Sequence, residues 1–388
     1  MVPERIEILF LIDYFHRTGG TEKHLVQLIT GLPPERFRCA VVVFDAGENT
    51  LLEELRRRGV PIIHLPVGRE YVPNALRQAW RLAQLIRRHR YDIVQTYHQK
   101  ADTYGALIAW MAGARHLVSS KRDTGQLRKP LHVFLNRRLR GLFDGFIMVA
   151  NGVSDAVVAQ DRLSVQRVMT IYNGVDAIRF HPPSAAQRAA ARARLGFTDE
   201  DFVVGMVAGF RAEKNHDVFF EGLSRAAPAL PSLKVLAVGG GELLVQHQQR
   251  LGATGLALRT VFAGDVADVL PYLWAMDVGC LTPGSNEGFS NAVIEQMAAG
   301  VPMIVTAVGG NPEAVANGET GWVIPPLDAT ALAQAVLTMH QDGPGRAAMG
   351  RAARARVEAR FSLEHMCAEH ARVYTALCTS GSMPGARQ

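Results

Sequence analysis

Short apolar runs alternate with stretches of helical spacing along nearly the whole 388-residue chain. In the front half, runs at 6–12, 38–44, 62–65, 93–97, 117–120, 145–149 and 169–171 predict strands. Segments 22–31, 50–58, 74–90, 101–112 and 131–142 predict helices between them. Thr50, with Glu53 three positions on, has the form of a capping box that opens the second helix. The strands are continuously apolar rather than alternating, as parallel strands are when helices cover both sheet faces. Regular alternation of strand and helix predicts a doubly wound α/β sheet.

A break at 175–184, where His181-Pro182-Pro183 stops any regular element, precedes a second alternation. Helices are predicted at 185–195, 217–226, 243–251, 266–274, 291–299, 329–340 and 345–360, and strands at 202–207, 234–238, 260–262, 278–281, 303–306 and 322–324. The expected domains are therefore 1–180 and 181–360, with a closing segment 361–378 and a polar, frayed tail at 379–388. Two such sheets in series leave a cleft at the carboxyl ends of their strands, where folds of this class bind ligands.

Composition narrows the class. With 48% hydrophobic and 20% charged residues, the chain is neither disordered nor fibrous. Cys39, Cys280, Cys367 and Cys378 lie far apart with no Cys-x-x-Cys, which excludes a thiolate zinc site and a disulfide scaffold and suits a reducing cytosol. The longest uncharged apolar stretch, 103–114, is too short to cross a bilayer, and 6–12 is expected to be a buried strand rather than a signal peptide. The expected location is cytoplasmic. Residues 1–180 carry 26 basic and 17 acidic side chains, whereas 181–388 carry 16 and 19. A basic front half suits nucleic acid, anionic lipid or an acidic substrate; equally, it suits Arg-rich helices facing water.

The chemistry concentrates in Ser285-Asn286-Glu287-Gly288-Phe289-Ser290-Asn291-Ala292-Val293-Ile294-Glu295, where a strand leads through a loop into a helix. The first-turn N–H groups of such a helix form an anion site. Gly288 permits close approach of a ligand, while Glu287 before the helix and Glu295 inside it are placed to clasp sugar hydroxyls. Taken alone, the same pattern fits a capped surface helix with solvated carboxylates.

Its neighbours carry a resemblance. Ala299-Gly300-Val301-Pro302, then Val308-Gly309-Gly310-Asn311-Pro312-Glu313, then Asn317-Gly318-Glu319-Thr320-Gly321 follow in order. Together these residues resemble the carboxyl-terminal half of the retaining glycosyltransferases of family 4. Further pieces are similar to the same family: Gly19-Gly20-Thr21-Glu22, Ile171-Tyr172-Asn173-Gly174-Val175-Asp176, Glu213-Lys214-Asn215-His216, Val238-Gly239-Gly240-Gly241-Glu242 and Phe361-Ser362. The resemblance implies the GT-B fold, two Rossmann-like domains facing across a cleft, with the closing helix crossing back to the first domain. It implies transfer of a sugar from a nucleotide-diphospho-sugar to an acceptor hydroxyl with retention. Cell-surface polysaccharide, lipopolysaccharide or glycolipid synthesis is the implied setting.

The implied roles follow residue by residue. Lys214, the N–H groups at Ser290 and Asn291, and Gly19 and Gly20 meet the diphosphate; Gly288 and Phe289 belong to the same donor loop. Glu287 contacts the sugar hydroxyls as a positioning and electrostatic group, and Glu295 contacts the ribose. The family commonly has an Arg five positions before the lysine, and here that position is Gly209. Arg211 is the candidate substitute, because a guanidinium grips two phosphate oxygens. His98, at the carboxyl edge of a strand, is expected near the transferred sugar, and Lys121 and Arg122 on the acceptor side. The donor is of UDP, GDP or ADP type, the acceptor a glycan or lipid-linked hydroxyl, and no metal or other cofactor is expected.

Residues 127–143 form a basic amphipathic segment that suits an anionic membrane surface, and so a peripheral location on its inner face; its apolar stripe equally suits domain core. Asp199-Glu200-Asp201 fits a metal-binding Asp-x-Asp but precedes a strand at its amino edge, away from the ligand face, and reads as a turn. His365, Cys367 and His370 are not read as a metal site, and no nucleic-acid motif accompanies the basic charge. A sugar-nucleotide 2-epimerase of the same architecture and a catalytically weak nucleotide-sugar-binding protein are the alternatives, the latter permitted by Gly209.

Overall fold

Two parallel sheets form, each from its own stretch of chain. The computed structural model describes every residue except 1–3, 16–18, 48, 69–72, 127, 253 and 385–388. The chain divides into one unit of residues 1–174 and 363–388 and a second unit, Val175–Ser362.

In the first unit, β1 (Ile6–Phe15), β2 (Phe37–Ala46), β3 (Ile62–His64), β4 (Ile93–Tyr97), β5 (His116–Lys121), β6 (Gly145–Met148) and β7 (Val168–Thr170) lie in the order β3-β2-β1-β4-β5-β6-β7. All pairings are parallel, with Leu9 opposite Ala40 on β2 and Val94 on β4. Ile8, Leu9, Phe10, Leu11 and Ile12 are all fully buried, because helices cover both faces of the central strand. Each such side chain contributes about 1.5–3 kcal/mol of burial.

The second unit contains β8 (Phe202–Val207), β9 (Leu233–Val238), β10 (Thr260–Gly264), β11 (Val278–Leu281), β12 (Met303–Thr306) and β13 (Gly321–Ile324), in the order β10-β9-β8-β11-β12-β13. The chain re-enters the first unit as the helix Leu363–Ser380. Met366, Cys367, His370, Val373, Tyr374 and Leu377 form its buried stripe, against the helix Gly20–Gly31 and β1. Tyr374 Oη donates to Gln95 Oε1 at 2.7 Å, and Gln95 Nε2 donates to Tyr97 Oη at 2.8 Å, so the stripe also closes a buried polar chain.

Several local expectations change. The cap of the helix Thr50–Arg57 is Asn49, whose side chain accepts from Leu51 N–H at 2.8 Å; Thr50 is already helical. The segment expected as one helix at 101–112 starts with a π turn, Ala101–Gly105, before the α-helix Ala106–Met111. The helix expected from 266 starts at Leu270, where Asp268 Oδ1 accepts the Leu270 N–H at 3.3 Å. Asn151–Asp161 is a helix that the sequence pattern did not announce. Residues 175–180 group with the second unit, because Arg354 donates to the carbonyls of Ala177 and Phe180. Of the polar tail, 385–388 lies outside the described residues.

The core of the first unit holds two imidazoles, His24 and His370, with ring centroids 5.4 Å apart. Burial pushes His370 down to about 4 and holds His24 well below its usual value of 6.5, so both are neutral in the fold. Unfolding restores ordinary basicity, so between about pH 6.5 and 4 the unfolded chain binds protons that the folded chain does not. Stability therefore falls with pH across that window. The urea midpoint is expected to be lower at pH 5 than at pH 7, and His370→Leu to reduce the difference.

Candidate active site

Each sheet reverses its strand order once, between β1 and β4 and between β8 and β11. Loops leaving the carboxyl ends of two strands at such a reversal diverge to opposite faces and open a crevice between them. Gly19 and Gly20 follow β1, His98 follows β4, Lys214 follows β8 and Glu287 follows β11.

In the second unit, the chain leaving β8 runs through Gly209 and Arg211 into a short turn, Ala212–Lys214. Asn215 adopts a left-handed conformation, φ 52°, and starts the helix His216–Ala226. The chain leaving β11 passes Glu287 and enters the helix Asn291–Ala298. Between these loops, Lys214 Nζ lies 2.6 Å from Glu287 Oε2, with side-chain exposures of 21% and 10%. The pair is thus largely withdrawn from water but open on one side, where a ligand's charge would be weakly screened. Glu287 Oε1 also accepts the Gly288 N–H at 3.2 Å.

Backbone contacts fix this geometry. Thr282 Oγ1 donates to the Asn215 carbonyl at 3.2 Å, tying the two loops together. Gly310 N–H donates to the Gly288 carbonyl at 2.7 Å. Gly309 has φ 55°, and a Cβ there would collide with the Glu287 carbonyl oxygen. After β9, the Phe210 N–H donates to the Gly240 carbonyl at 2.7 Å, and Gly241, φ 141°, brings a would-be Cβ to 2.6 Å from the Phe210 oxygen. Gly240 N–H in turn donates to Asp265 Oδ1 at 2.8 Å.

Arg211 lies where the sequence left a question. A Cβ at Gly209 would be 3.3 Å from Arg211 Nε and 3.5 Å from Nη2, so the guanidinium rests over the space that a side chain at 209 would enter. Its Nη1 is 3.7 Å from Glu213 Oε1 and nearly half of the side chain is exposed. Phe289, Ser290 and Glu295 are buried at 4%, 8% and 9% exposure, so this loop and helix are packed rather than solvated. Ser290 is the N-cap residue, yet its side chain makes no capping bond, unlike Asp328 and Asp342. His216 stacks on Phe210 at 3.9 Å, and burial pushes its imidazole down to about 3.

The first unit treats its predicted residues differently. Gly19 caps the helix Gly20–Gly31, and its carbonyl accepts the Lys23 N–H at 3.1 Å. His98 has φ 71° and stacks on Tyr14 at 4.4 Å; burial pushes it down to about 4, which leaves it neutral. Lys121 is drawn into the core. Its Nζ is 2.7 Å from Asp102 Oδ2 in a buried pair, and Asp102 also accepts from Thr96 and from Ser119 Oγ, so this lysine neutralises a core carboxylate. Arg122 donates to Asn173, while its Nε and Nη1 are buried without a hydrogen-bond partner. Burial pushes its guanidinium down to about 10.

Sequence reasoning missed Asp13. Its carboxylate accepts the N–H groups of Lys100 and Ala101 at 2.7 and 2.6 Å, joining the ends of β1 and β4, and burial pushes it up to about 7. An acid ending an apolar strand just before a glycine loop was the available signal. Asp201, from the Asp-x-Asp decoy, accepts the Thr198 N–H at 2.7 Å in a turn. Among the described residues, no cluster of His, Cys, Asp or Glu is arranged to hold a metal ion.

Comparison with known proteins now gives the class. A family model described as "Glycosyltransferase Family 4" matches residues 18–179, and one described as "Glycosyl transferases group 1" matches 187–356. The GDP-mannose-dependent monoacylated alpha-(1-6)-phosphatidylinositol monomannoside mannosyltransferase of Corynebacterium glutamicum is 33% identical, over 94% of this chain and 97% of its own. A glycosyltransferase from Rickettsia africae superposes with a TM-score of 0.84 at 19% identity, covering 97% of this chain and 99% of its own. Anabaena HepE in complex with UDP superposes at 0.83 and 22%, covering 96% and 100%. The chain belongs to glycosyltransferase family 4. It is a glycosyltransferase with the GT-B fold.

The Gly309 contact makes a stability test. Gly309→Ala is expected to cost about 2–3 kcal/mol, since its Cβ cannot fit without moving the Glu287 backbone. Thermal unfolding against Gly318→Ala is the check: Gly318 shares a positive φ but meets nothing within 4 Å.

Proposed function

We propose that this glycosyltransferase is retaining and metal-independent, and moves a sugar from a nucleotide-diphospho-sugar to a hydroxyl of a lipid-linked or polysaccharide acceptor. The observation that carries the reading is the Lys214–Glu287 pair at the β8–β11 reversal, beside the start of the helix Asn291–Ala298. The chemical demand is to stabilise a departing diphosphate while positive charge develops on the sugar. Fixed donors and cations aimed at the developing charge meet that demand without reorganisation.

Lys214 takes a diphosphate oxygen, and Arg211, with its guanidinium over Gly209, supplies the second cation. The N–H groups at Ser290 and Asn291 add the positive end of a helix, with Gly288 and Phe289 shaping the loop. Glu287 orients the sugar hydroxyls and stabilises the cationic ring without forming a bond to it, and Glu295 holds the ribose. The acceptor hydroxyl attacks from the leaving-group face and passes its proton to the diphosphate. Gly19, Gly20, His98 and Arg122, on the first unit, retain the donor-side and acceptor-side roles that the resemblance implies. A neutral His98 accepts or donates a hydrogen bond without adding charge.

GDP-mannose is the first donor to test, because a relative matched over 97% of its own length is named for it; UDP is the second, because HepE is described in complex with it. In a thermal-shift series with GDP, UDP and ADP, one nucleotide at a hundred times its Kd is expected to stabilise the folded chain by about 2.7 kcal/mol. Lys214→Ala is expected to lower kcat by at least a hundredfold, Glu295→Ala to weaken nucleotide binding about tenfold, and EDTA to leave turnover unchanged. Strict dependence on a divalent ion would overturn the scheme.

A further inference from the structure

Arg211 and Lys214 sit on one short turn, and a pair of rings clasps its two ends. Phe210 and His216 stack with centroids 3.9 Å apart and planes 16° apart. Both are buried, at 0% and 2% exposure. Residues 211–215 between them face outward: Arg211 and Ala212 are exposed, and Glu213, Lys214 and Asn215 are half-buried. Inside that stretch the backbone holds little. Lys214 N–H donates to the Arg211 carbonyl at 3.0 Å, and Asn215 N–H to the Ala212 carbonyl at 3.2 Å. Bonds of this 3₁₀ type have poorer geometry than those of an α-helix and sustain only short runs. The turn therefore depends on what anchors its ends.

The anchors rest on packed ground. Phe210 is fixed through its backbone, because its N–H donates to the Gly240 carbonyl at 2.7 Å and its carbonyl accepts the Leu243 N–H at 3.1 Å. His247 lies 5.6 Å from each of the two stacked rings. Phe262 adjoins Phe210 at 6.0 Å, and Phe220 adjoins His216 at 6.5 Å. Aromatic rings at such separations pack edge to face or offset, which limits the rotation of each. The Ala208 carbonyl faces the imidazole of His216 as an acceptor, whereas Nδ1 is buried without a hydrogen-bond partner. Burial, with His247 and Lys214 nearby, keeps this ring neutral. It adds no third positive charge beside Arg211 and Lys214, and what it offers them is a flat face.

We infer that His216 is a positioning residue of the donor site: its ring, stacked on Phe210, staples the two ends of the turn 211–215 and so holds Arg211 and Lys214 where a diphosphate meets them. The role belongs to the ring rather than to its nitrogens. A misplacement of about 1 Å at a reacting centre can cost about a hundredfold in rate. A turn released at one end would displace both cations together, whereas a change in either cation alone leaves the other in place. The inference deepens the diphosphate reading and rests on it for the effect on turnover. The staple itself is measured without nucleotide.

The test compares the full chain with His216→Phe, which keeps a ring, and His216→Gln, which keeps a hydrogen-bond donor and loses the ring. Leu223→Ala, fully buried in the same helix His216–Ala226, is the control for lost stability alone. Amide hydrogen exchange without nucleotide is expected to quicken about tenfold at 211–215 in His216→Gln, and to match the parent there in His216→Phe and Leu223→Ala. In turnover of GDP-mannose, or of a UDP-sugar where UDP is the nucleotide that stabilises the parent, His216→Gln is expected to lower kcat about tenfold and His216→Phe to keep it. The preference for GDP over GMP, or for UDP over UMP, is expected to fall about tenfold in His216→Gln alone, because only the grip on the second phosphate is loosened. Three results would each overturn the inference: unchanged exchange at 211–215 in His216→Gln, equal quickening in Leu223→Ala, or a folded His216→Phe that has lost the parent's turnover. Should His216→Gln not fold, His216→Phe decides by that same turnover. Failure of the parent to bind either diphosphate would instead count against the donor-site reading.

Discussion

A lysine and a glutamate 2.6 Å apart, on loops from two neighbouring strands, set what the second unit can do. Neither loop alone would hold its side chain in place. Thr282 ties one loop to the backbone of the other, and Gly309 and Gly310 press on the chain at 287–288 from a third. A partly covered ion pair is a weak source of stability, because desolvation offsets much of its attraction. Its value is positional. In the proposed reaction, an ammonium held beside a carboxylate would meet leaving-group charge and ring charge of opposite sign together.

The glycines around this pair have separate physical reasons. Gly241 and Gly309 combine positive φ with backbone packed where a Cβ would stand, whereas Gly209 leaves room for another residue's side chain. The guanidinium of Arg211 lies over that space.

The first unit separates its charges by depth. Lys121, Asp102 and Asp13 are consumed inside, where they neutralise one another or accept backbone N–H groups at the ends of strands. The excess positive charge of the front half that these pairs leave over includes arginines exposed on its helices.

Much of the fold was legible because continuous apolar runs bounded by glycine, proline and polar clusters have few other readings. The ends of β4, β8, β11 and β12 coincide with the expected strands, and the Glu287 loop lies where a strand hands over to a helix. Boundaries that depend on a side chain's partner were not legible. Asn49 and Thr50 are both good caps, and only the backbone geometry chooses between them. The π turn at 101–105 starts beside Asp13, some 88 residues away in sequence. The helix Asn151–Asp161 opens with Asn-Gly and carries few strong helix formers, so packing overrode propensity.

What the sequence determined by itself was the kind of architecture and the address of each motif, since periodicity and glycine placement are local properties of a chain. What only the tertiary structure decided was which charges meet. Lys121 and Lys214 each lie on the carboxyl side of an expected strand, yet one is matched inside the core to Asp102 and the other to Glu287, where it keeps 21% of its side chain exposed. Pairing of this sort is a contact between residues distant along the chain, created by strand order, and no local pattern records it.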